Sequence, residues 1–273
     1  MTNLILRIIS SLFLIIIFLS LLSESDFIFL FVIQLLLILS FWEFLRLINF
    51  SLNDDKKNSY FLSREKININ DFFIILLISF SSLIFFFFNN SFLALMLIIF
   101  IVTFFYFSFK SNFIKFLGLV YLFSPFLILI DLRFSNNFLE FLTFIVLFSV
   151  ITDVSSYFCG NFFGGMKLAP KISPGKTISG SIGGILIPSF LCVLIFSENS
   201  SLGHIIFSSV IFSITVQVGD LIESKLKRKY KVKDSSSLIP GHGGVLDRFD
   251  GIFLLIIIFY VLKILDFNFF FIV

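Results

Sequence analysis

Residues 218–251 read VGDLIESKLKRKYKVKDSSSLIPGHGGVLDRFDG. Five carboxylates, seven Lys or Arg residues and one of the two histidines of the chain fall within this stretch, and apolar runs flank it on both sides. In a bilayer-spanning protein such charge is stable only at a water-facing surface or in a lined cavity. The stretch therefore predicts where apolar helices end and where the chemistry of the chain is concentrated.

The composition of the remaining chain is that of a membrane protein. Hydrophobic residues make up 58% and charged residues 14% of the 273 residues, whereas soluble domains average about 25% charged residues. The mean hydropathy is +1.09. A soluble core cannot absorb this much apolar sequence, so we predict an all-α integral membrane protein.

Nine apolar runs are each close to the ~20 residues that a membrane-spanning helix needs. They cover residues 4–22, 27–48, 72–88, 92–109, 113–130, 138–158, 180–196, 202–222 and 249–273. We expect about nine transmembrane helices in one bundle, which forms a single polytopic domain over residues 1–273. Residues 1–137 are expected to serve as scaffold helices, and residues 138–273 to carry the catalytic motifs and their cytoplasmic loops.

The cations support this count of helices. Seventeen of the 20 Lys and Arg residues lie in or beside the segments that follow even-numbered runs, and Arg133 is the one cation that follows an odd-numbered run. Positively charged loops stay in the cytoplasm. The pattern therefore predicts a multi-pass protein of the cell membrane, with a cytoplasmic N-terminus and an active site at the cytoplasmic face.

The acidic residues of the opening stretch are spaced to bind a metal ion. Asp220 lies where one apolar run ends, and Asp247 and Asp250, three residues apart, lie where the next begins. Two helix ends would then offer carboxylates to one point. Hard oxygen ligands beside cations suit Mg²⁺ in complex with a polyphosphate. We predict these three residues as Mg²⁺ ligands and leave a second cation open.

Glycines near these carboxylates predict close contact with a phosphate-rich ligand. Gly243 and Gly244 allow the backbone to approach a ligand, and His242 between Gly241 and Gly243 would donate a hydrogen bond to a phosphate. A topology loop without chemistry does not need this Pro-Gly-His-Gly-Gly run followed by Asp-Arg-x-Asp.

A second polar segment follows the run at 138–158. Asp153 lies inside that apolar run, which is costly and indicates function, and Tyr157 shares its helix face. Further along, Ser173, Lys176 and Thr177 offer hydroxyls and a cation to an anionic nucleotide. Residues 175–177 read Gly-Lys-Thr, but Pro occupies the first-glycine position of a Walker A motif and no preceding β-strand is expected. We therefore interpret the segment as a loop and exclude a P-loop.

Both segments resemble one family of enzymes. The matching residues read Ser-Lys-Leu-Lys-Arg at 224–228, Lys-Asp-Ser-Ser at 233–236, Pro-Gly-His-Gly-Gly at 240–244, Asp-Arg-Phe-Asp at 247–250, and Ser-Pro-Gly-Lys-Thr at 173–177. This pattern is similar to the signature of the phosphatidate cytidylyltransferases, also called CDP-diacylglycerol synthases. The resemblance covers roughly residues 148–251, and it departs from the family at Ser179, where an acidic residue is usual.

The resemblance implies an activity and a set of site residues. Members of the family are multi-pass membrane enzymes that condense CTP with phosphatidic acid, giving CDP-diacylglycerol and pyrophosphate, with a divalent metal. Catalytic roles would fall to Asp220, Asp247, Asp250, His242 and Arg248. Contacts with substrate would fall to Asp153, Tyr157, Ser173, Lys176, Thr177, Lys227, Arg228, Lys233, Asp234, Gly243 and Gly244. The expected partners are CTP, phosphatidic acid and the bilayer, with a homodimer left open and nucleic acid not expected.

Three other interpretations stay open at this point. A related CTP-dependent enzyme would act on another lipid phosphate or on a lipid alcohol. A transporter or channel would line a pathway with its polar residues, but here they cluster at helix ends and not at the bilayer midplane. A serine hydrolase is disfavoured because the basic excess around His242 suits polyphosphate better than acyl chemistry.

The predicted topology has a direct test. A cysteine introduced at Asn58, between the second and third apolar runs, should react with a membrane-impermeant thiol reagent only from the cytoplasmic side. Labelling of position 58 in intact cells would contradict the nine-span arrangement.

Overall fold

The computed structural model describes residues 2–50, 69–88, 113–197, 201–241 and 243–265. The predicted span at 92–109, the polar segment around Asn58 and the predicted catalytic residue His242 lie outside them. The described chain forms two compact units. The first unit comprises Met1–Phe134 and Tyr230–Arg248, and the second comprises Ser135–Lys229 and Phe249–Val273.

The first unit contains four helices and the start of a later one. They are α1 (Thr2–Leu21), α2 (Asp26–Phe50), α3 (Ile69–Phe88) and α4 (Phe113–Arg133). Helix α2 packs against α1, α3 and α4, and α3 also packs against α4. Aromatic and aliphatic side chains fill the core, for example Phe41 of α2 edge-on to Phe123 of α4 at 6.4 Å between ring centroids.

Helices α3 and α4 run parallel to each other. Near their starts, Lys115 Nζ and Asp71 Oδ1 form a buried ion pair at 2.6 Å. At their other ends, the rings of Phe86 and Phe134 lie 5.2 Å apart. A buried pair of this kind holds both helices in register, because sliding one helix along the other would separate the two charges and leave each of them uncompensated.

The second unit contains three further helices and a hairpin. In chain order they are α5 (Phe138–Phe163), β1 (Lys167–Ala169), β2 (Ser173–Thr177), α6 (Ile178–Phe196) and α7 (Leu202–Lys229). Helix α8 (Leu246–Ile264) begins at the end of the first unit and continues from Phe249 in the second. Helix α6 packs against both α5 and α7.

Phenylalanine forms much of the core of the second unit. Phe212 stacks on Phe259 at 5.6 Å between ring centroids, and Phe141 meets Phe259 edge-on at 4.8 Å. Small residues mark the places where helices approach closely. A Cβ on Gly180 would lie 2.6 Å from the carbonyl oxygen of Ser156 on α5. This explains the Gly-x-x-x-Gly spacing at 180–184 as helix packing.

The hairpin corrects the prediction that residues 173–177 form a loop in an all-α chain. Strands β1 and β2 pair antiparallel, with Lys167 opposite Thr177 and Ala169 opposite Ser173. The turn closes where Ile172 N–H donates to the carbonyl of Ala169 at 3.0 Å. Sequence patterns missed it because the strands have three and five residues, and β2 contains a proline and a glycine.

The apolar helices indicate a multi-pass membrane protein. Among the described residues, five helices are long and apolar enough to cross a bilayer, namely α2, α4, α5, α6 and α7. Helices α1 and α3 contain shorter apolar stretches. The predicted spans match the observed helices closely at most ends. However, α5 continues to Phe163 and α7 to Lys229, beyond the apolar runs, and α8 ends at Ile264, before the predicted end at residue 273.

Candidate active site

A contact between two glycines positions the acidic residues of the second unit. A Cβ on Gly219 of α7 would lie 2.6 Å from the carbonyl oxygen of Asp250 and 3.1 Å from the Cα of Gly251. The two helix backbones therefore touch at this level, where no larger side chain fits. Since Asp220 follows one glycine and Asp250 precedes the other, this crossing brings both acidic residues to the same place.

Three predicted carboxylates interact within this unit. Asp220 and Asp153 both repel a negative charge on Asp250, whereas Lys227 attracts it. Asp250 Oδ1 accepts a hydrogen bond from the N–H of Gly251 at 2.8 Å. The structure thus places Asp153 and Asp220 near enough to Asp250 for their charges to act on it, whereas the sequence predicts Asp220, Asp247 and Asp250 as metal ligands and Asp153 as a contact with substrate. We call Asp153, Asp220 and Asp250 the acidic cluster.

Lysines from two elements neutralise part of the acidic cluster. Lys176 of β2 places its Nζ 2.5 Å from Asp220 Oδ2, with about a quarter of each side chain exposed. Ser224 donates to the other oxygen of Asp220 at 3.1 Å. Lys227 is buried and pairs with Glu223 one turn earlier, at 3.1 Å. Basic side chains beside clustered carboxylates are the arrangement needed to bind a polyanion together with a cation.

The hairpin is joined to α6 and α7 by specific hydrogen bonds. Thr177 is the N-cap of α6, because its Oγ1 accepts from Gly180 N–H at 3.1 Å. Ser179 lies 3.1 Å from the same hydroxyl and also donates to the carbonyl of Gly164. Arg228 Nε donates to the carbonyl of Ile172 at 3.2 Å. Ser179 therefore has a structural task at the position where an acidic residue was expected.

Other predicted contacts of the second unit lie at its surface or at the hairpin. Tyr157 is 66% exposed and packs edge-on against Phe158 at 5.8 Å between ring centroids. Asp153 is also exposed, and Ser173 at the start of β2 is half-buried. All three positions are accessible to a ligand, and their contacts with substrate stay predictions.

The first unit holds Asp247, whose Oδ2 accepts three hydrogen bonds. The donors are Ser235 N–H at 2.8 Å, Ser235 Oγ at 3.0 Å and Gly244 N–H at 2.8 Å. The bond to Gly244 reaches back three residues at the start of α8, as the acidic residue of a capping box does. This oxygen of Asp247 thus holds together the segment from Ser235 to Asp247, which we call the motif segment. Metal ligation by Asp247 stays a prediction.

The remaining predicted residues of the first unit surround this segment. Gly243 has a φ of +86°, which favours glycine, and Gly241, two residues earlier, has a φ of +77°. Gly244 is buried. The side chains of Lys233, Asp234 and Arg248 are exposed.

Sequence reasoning missed Glu43. This residue of α2 is fully buried, and its carboxylate accepts hydrogen bonds from Ser235, Ser236, Val245 and Leu246. The available signal was a single acidic residue inside the apolar run at 27–48, which is as costly there as Asp153 is in its own run.

Comparison with known proteins identifies similar chains. The model of the family described as "Cytidylyltransferase family" matches residues 5–265. Proteins named phosphatidate cytidylyltransferase are similar in Haemophilus influenzae (49% identity over 108 residues, 37% of this chain and 37% of that protein) and in Bacillus subtilis (47% over 103 residues, 36% and 38%). The protein of that name in Rickettsia conorii is 43% identical over 121 residues, 41% of this chain and 53% of its own length. The aligned part of the chain thus spans between about a third and a half of these relatives.

The tight packing at Gly244 leads to a prediction about stability. A Cβ at Gly244 would lie 2.0 Å from Ser235 Oγ and 2.5 Å from Glu43 Oε2, both of which are buried. Gly244→Ala should therefore destabilise the protein by about 1–3 kcal/mol, as overpacking does. Gly175→Ala is the matched control, since a Cβ there meets nothing within 4 Å. Thermal unfolding in detergent measures both, and equal melting temperatures for the two variants would contradict the described packing.

Proposed function

The chain belongs to the cytidylyltransferase family, and we propose that it transfers the cytidylyl group of CTP to phosphatidic acid, giving CDP-diacylglycerol and pyrophosphate in phospholipid biosynthesis. The observation that carries this proposal is the acidic cluster, which lies near Lys176 and Lys227 in the second unit. The names of the relatives, which the chain matches over part of their length, support the choice of substrates.

The reaction needs positioning more than it needs a protein nucleophile. A phosphate oxygen of phosphatidic acid attacks the α-phosphorus of CTP, and the bond from that phosphorus to the oxygen between the α- and β-phosphates breaks, so that pyrophosphate leaves with this oxygen. The lipid phosphate is already anionic and can attack directly, so the reaction needs no nucleophile from a side chain. The protein has to hold two polyanions in line and screen their repulsion.

The lysines of the second unit fit this task. Lys176 pairs with Asp220, and both side chains are partly exposed, so an incoming triphosphate can reach the lysine. Lysine is a flexible point charge that exchanges partners easily. We propose that Lys176 turns from Asp220 to a phosphate of CTP, and that Lys227 and Arg228 add positive charge from α7.

The acidic cluster fits Mg²⁺ as the metal of the reaction. Mg²⁺ usually binds one or two carboxylates and completes its shell with water and substrate phosphates. Asp220 and Asp250 would hold it in the second unit, and metal ligation by Asp247 of the first unit is proposed from the sequence alone. Within the described ranges, no group of three or more His, Cys, Asp or Glu side chains is placed to hold a metal ion by itself, so this proposal requires water and substrate phosphates to supply the remaining ligands. The bound ion would neutralise charge that develops on the phosphate oxygens.

We further propose nine membrane spans, a cytoplasmic N-terminus and an active site at the cytoplasmic face of the cell membrane. The parallel packing of α3 and α4 supports the count. Consecutive spans cross a membrane in opposite directions, so two parallel helices need one further span between them. The predicted span at 92–109 would supply it. The ion pair of Asp26 with Arg133, at 3.0 Å, also agrees, since both residues lie at predicted external ends.

The test uses purified protein with phosphatidic acid, Mg²⁺ and CTP that carries a radioactive label in either the α- or the γ-phosphate. Cytidylyl transfer places only the α-label in the extracted lipid and releases the γ-label in pyrophosphate. Transfer of the γ-label to a lipid alcohol would instead identify a CTP-dependent kinase. Labelled product from another lipid phosphate but not from phosphatidic acid would change the substrate. Solute flux into liposomes without any labelled lipid would favour a transporter.

A pair of substitutions on α7 tests the proposed role of Asp220. Asp220→Asn should lower turnover by orders of magnitude, because it removes a charged ligand of the metal where Mg²⁺ prefers carboxylate oxygen. Glu223→Gln is the matched control, since it also breaks an ion pair with a lysine on the same helix face. Steady-state assays over a range of Mg²⁺ concentrations compare them. Equal losses in both variants, with wild-type dependence on Mg²⁺, would show that Asp220 only neutralises Lys176.

A further inference from the structure

Glu43 accepts a hydrogen bond at each of four positions around its carboxylate. Its Oε1 accepts from Ser236 Oγ at 2.6 Å and from Val245 N–H at 2.9 Å. Its Oε2 accepts from Ser235 Oγ at 2.9 Å and from Leu246 N–H at 2.9 Å. The side chain has no exposed surface. Hydrogen-bond donors of the first unit therefore surround this carboxylate.

The four donors belong to the two ends of one segment. Ser235 and Ser236 precede the glycine-rich residues of the motif, and Val245 and Leu246 follow them. Within the segment, Ile239 N–H donates to the carbonyl of Gly243 at 2.8 Å. Glu43 thus joins the two ends of the loop from α2, which lies 192 to 203 residues earlier in the chain.

Two of the donors are the backbone N–H groups of Val245, which directly precedes α8, and of Leu246, its first residue. The N–H groups at a helix N-terminus have no acceptor within the helix, and they carry a partial positive charge. The carboxylate of Glu43 supplies the acceptors for Val245 and Leu246. It therefore fixes where α8 starts, and Asp247 is the next residue along.

Ser235 connects Glu43 to Asp247. Its Oγ lies 2.9 Å from Glu43 Oε2 and 3.0 Å from Asp247 Oδ2, so the two carboxylates share its single hydroxyl proton, and its N–H also donates to Asp247 Oδ2. We propose that Glu43 is a positioning residue of the active site, which holds the glycine-rich loop and Asp247 in place for the metal and the phosphates. This inference rests on the proposed function, in which Asp247 ligates Mg²⁺.

The arrangement requires a carboxylate and not an amide. Each oxygen of Glu43 accepts one hydroxyl proton and one backbone N–H. A hydroxyl can turn to accept from an amide nitrogen, but a backbone N–H cannot. In Glu43→Gln the new NH₂ group would face the N–H of Val245 or Leu246, whichever way the amide is oriented. One end of the loop would then lose its attachment.

Hydrogen exchange of the full-length protein in detergent provides a readout that does not depend on activity. In Glu43→Gln, the amides of Ser235, Gly244, Val245 and Leu246 should exchange at least about tenfold faster, the change expected when a hydrogen bond to a charged group is lost. Turnover should fall by a similar factor, and the Mg²⁺ concentration for half-maximal rate should rise, while the KM for phosphatidic acid stays within a factor of about two.

Asp71→Asn is the matched control. Asp71 is also a carboxylate of the first unit with almost no exposed surface, but it pairs with Lys115 instead of the motif segment. This variant should lose stability and keep wild-type exchange at Ser235, Gly244, Val245 and Leu246. If it accelerates exchange at those amides and shifts the Mg²⁺ dependence as Glu43→Gln does, Glu43 acts through general stability and the proposal is overturned.

A milder variant covers the case in which Glu43→Gln does not fold. Ser236→Ala removes one hydroxyl donor to Oε1 and keeps both backbone donors, so exchange at Val245 should rise by a few-fold. Wild-type exchange in Ser236→Ala, or in a folded Glu43→Gln, would overturn the proposal. The proposed function fails separately, if the wild-type protein makes no labelled lipid.

Discussion

A carboxylate inside an apolar helix is stable only where hydrogen-bond donors replace the lost water, and the first unit is built around one such group. Glu43 has no exposed surface, and an unpaired charge of that kind costs several kcal/mol. Its donors are two serine hydroxyls and two N–H groups at the start of α8, which have no acceptor within the helix. The motif segment must therefore fold back onto Glu43 of α2, from which it is separated by 192 to 203 residues of the chain. The motif segment takes its shape from that contact.

The second unit balances its charges in a different way. Asp220 is only partly buried, and a flexible lysine together with a serine hydroxyl satisfies its oxygens. The glycine contact between α7 and α8 sets the position of the carboxylates, while the ion pair with Lys176 can be exchanged for another. A rigid backbone with replaceable charge partners suits a site that binds and releases a polyanion. Glu43 and Asp220 thus represent opposite uses of acidic residues in the same chain.

Hydropathy predicted the apolar helices because lipid requires about twenty apolar residues in each span. Hydropathy did not predict where some of these helices end, because the end of a helix also depends on pairs of polar side chains. Helix α7 continues to Lys229 because residues such as Glu223 and Lys227 pair one turn apart and favour further turns. The motif residues were found because charge and glycine are rare in this chain. Glu43 was not found, since a lone acidic residue in a sequence does not reveal distant donors, and the hairpin at 167–177 is too short for any periodicity.

Several motif residues have a structural task that is separate from contact with substrate. Thr177 caps α6, and one oxygen of Asp247 holds Ser235 and Gly244 in place. Loss of activity on substituting either residue would follow from disorder of the motif alone, even if neither touched a nucleotide. Lys176 differs, because its side chain is partly exposed and extends from a strand whose pairing is made by backbone groups. Its substitution would remove charge and little packing, so the kinetic effect would report directly on phosphate binding.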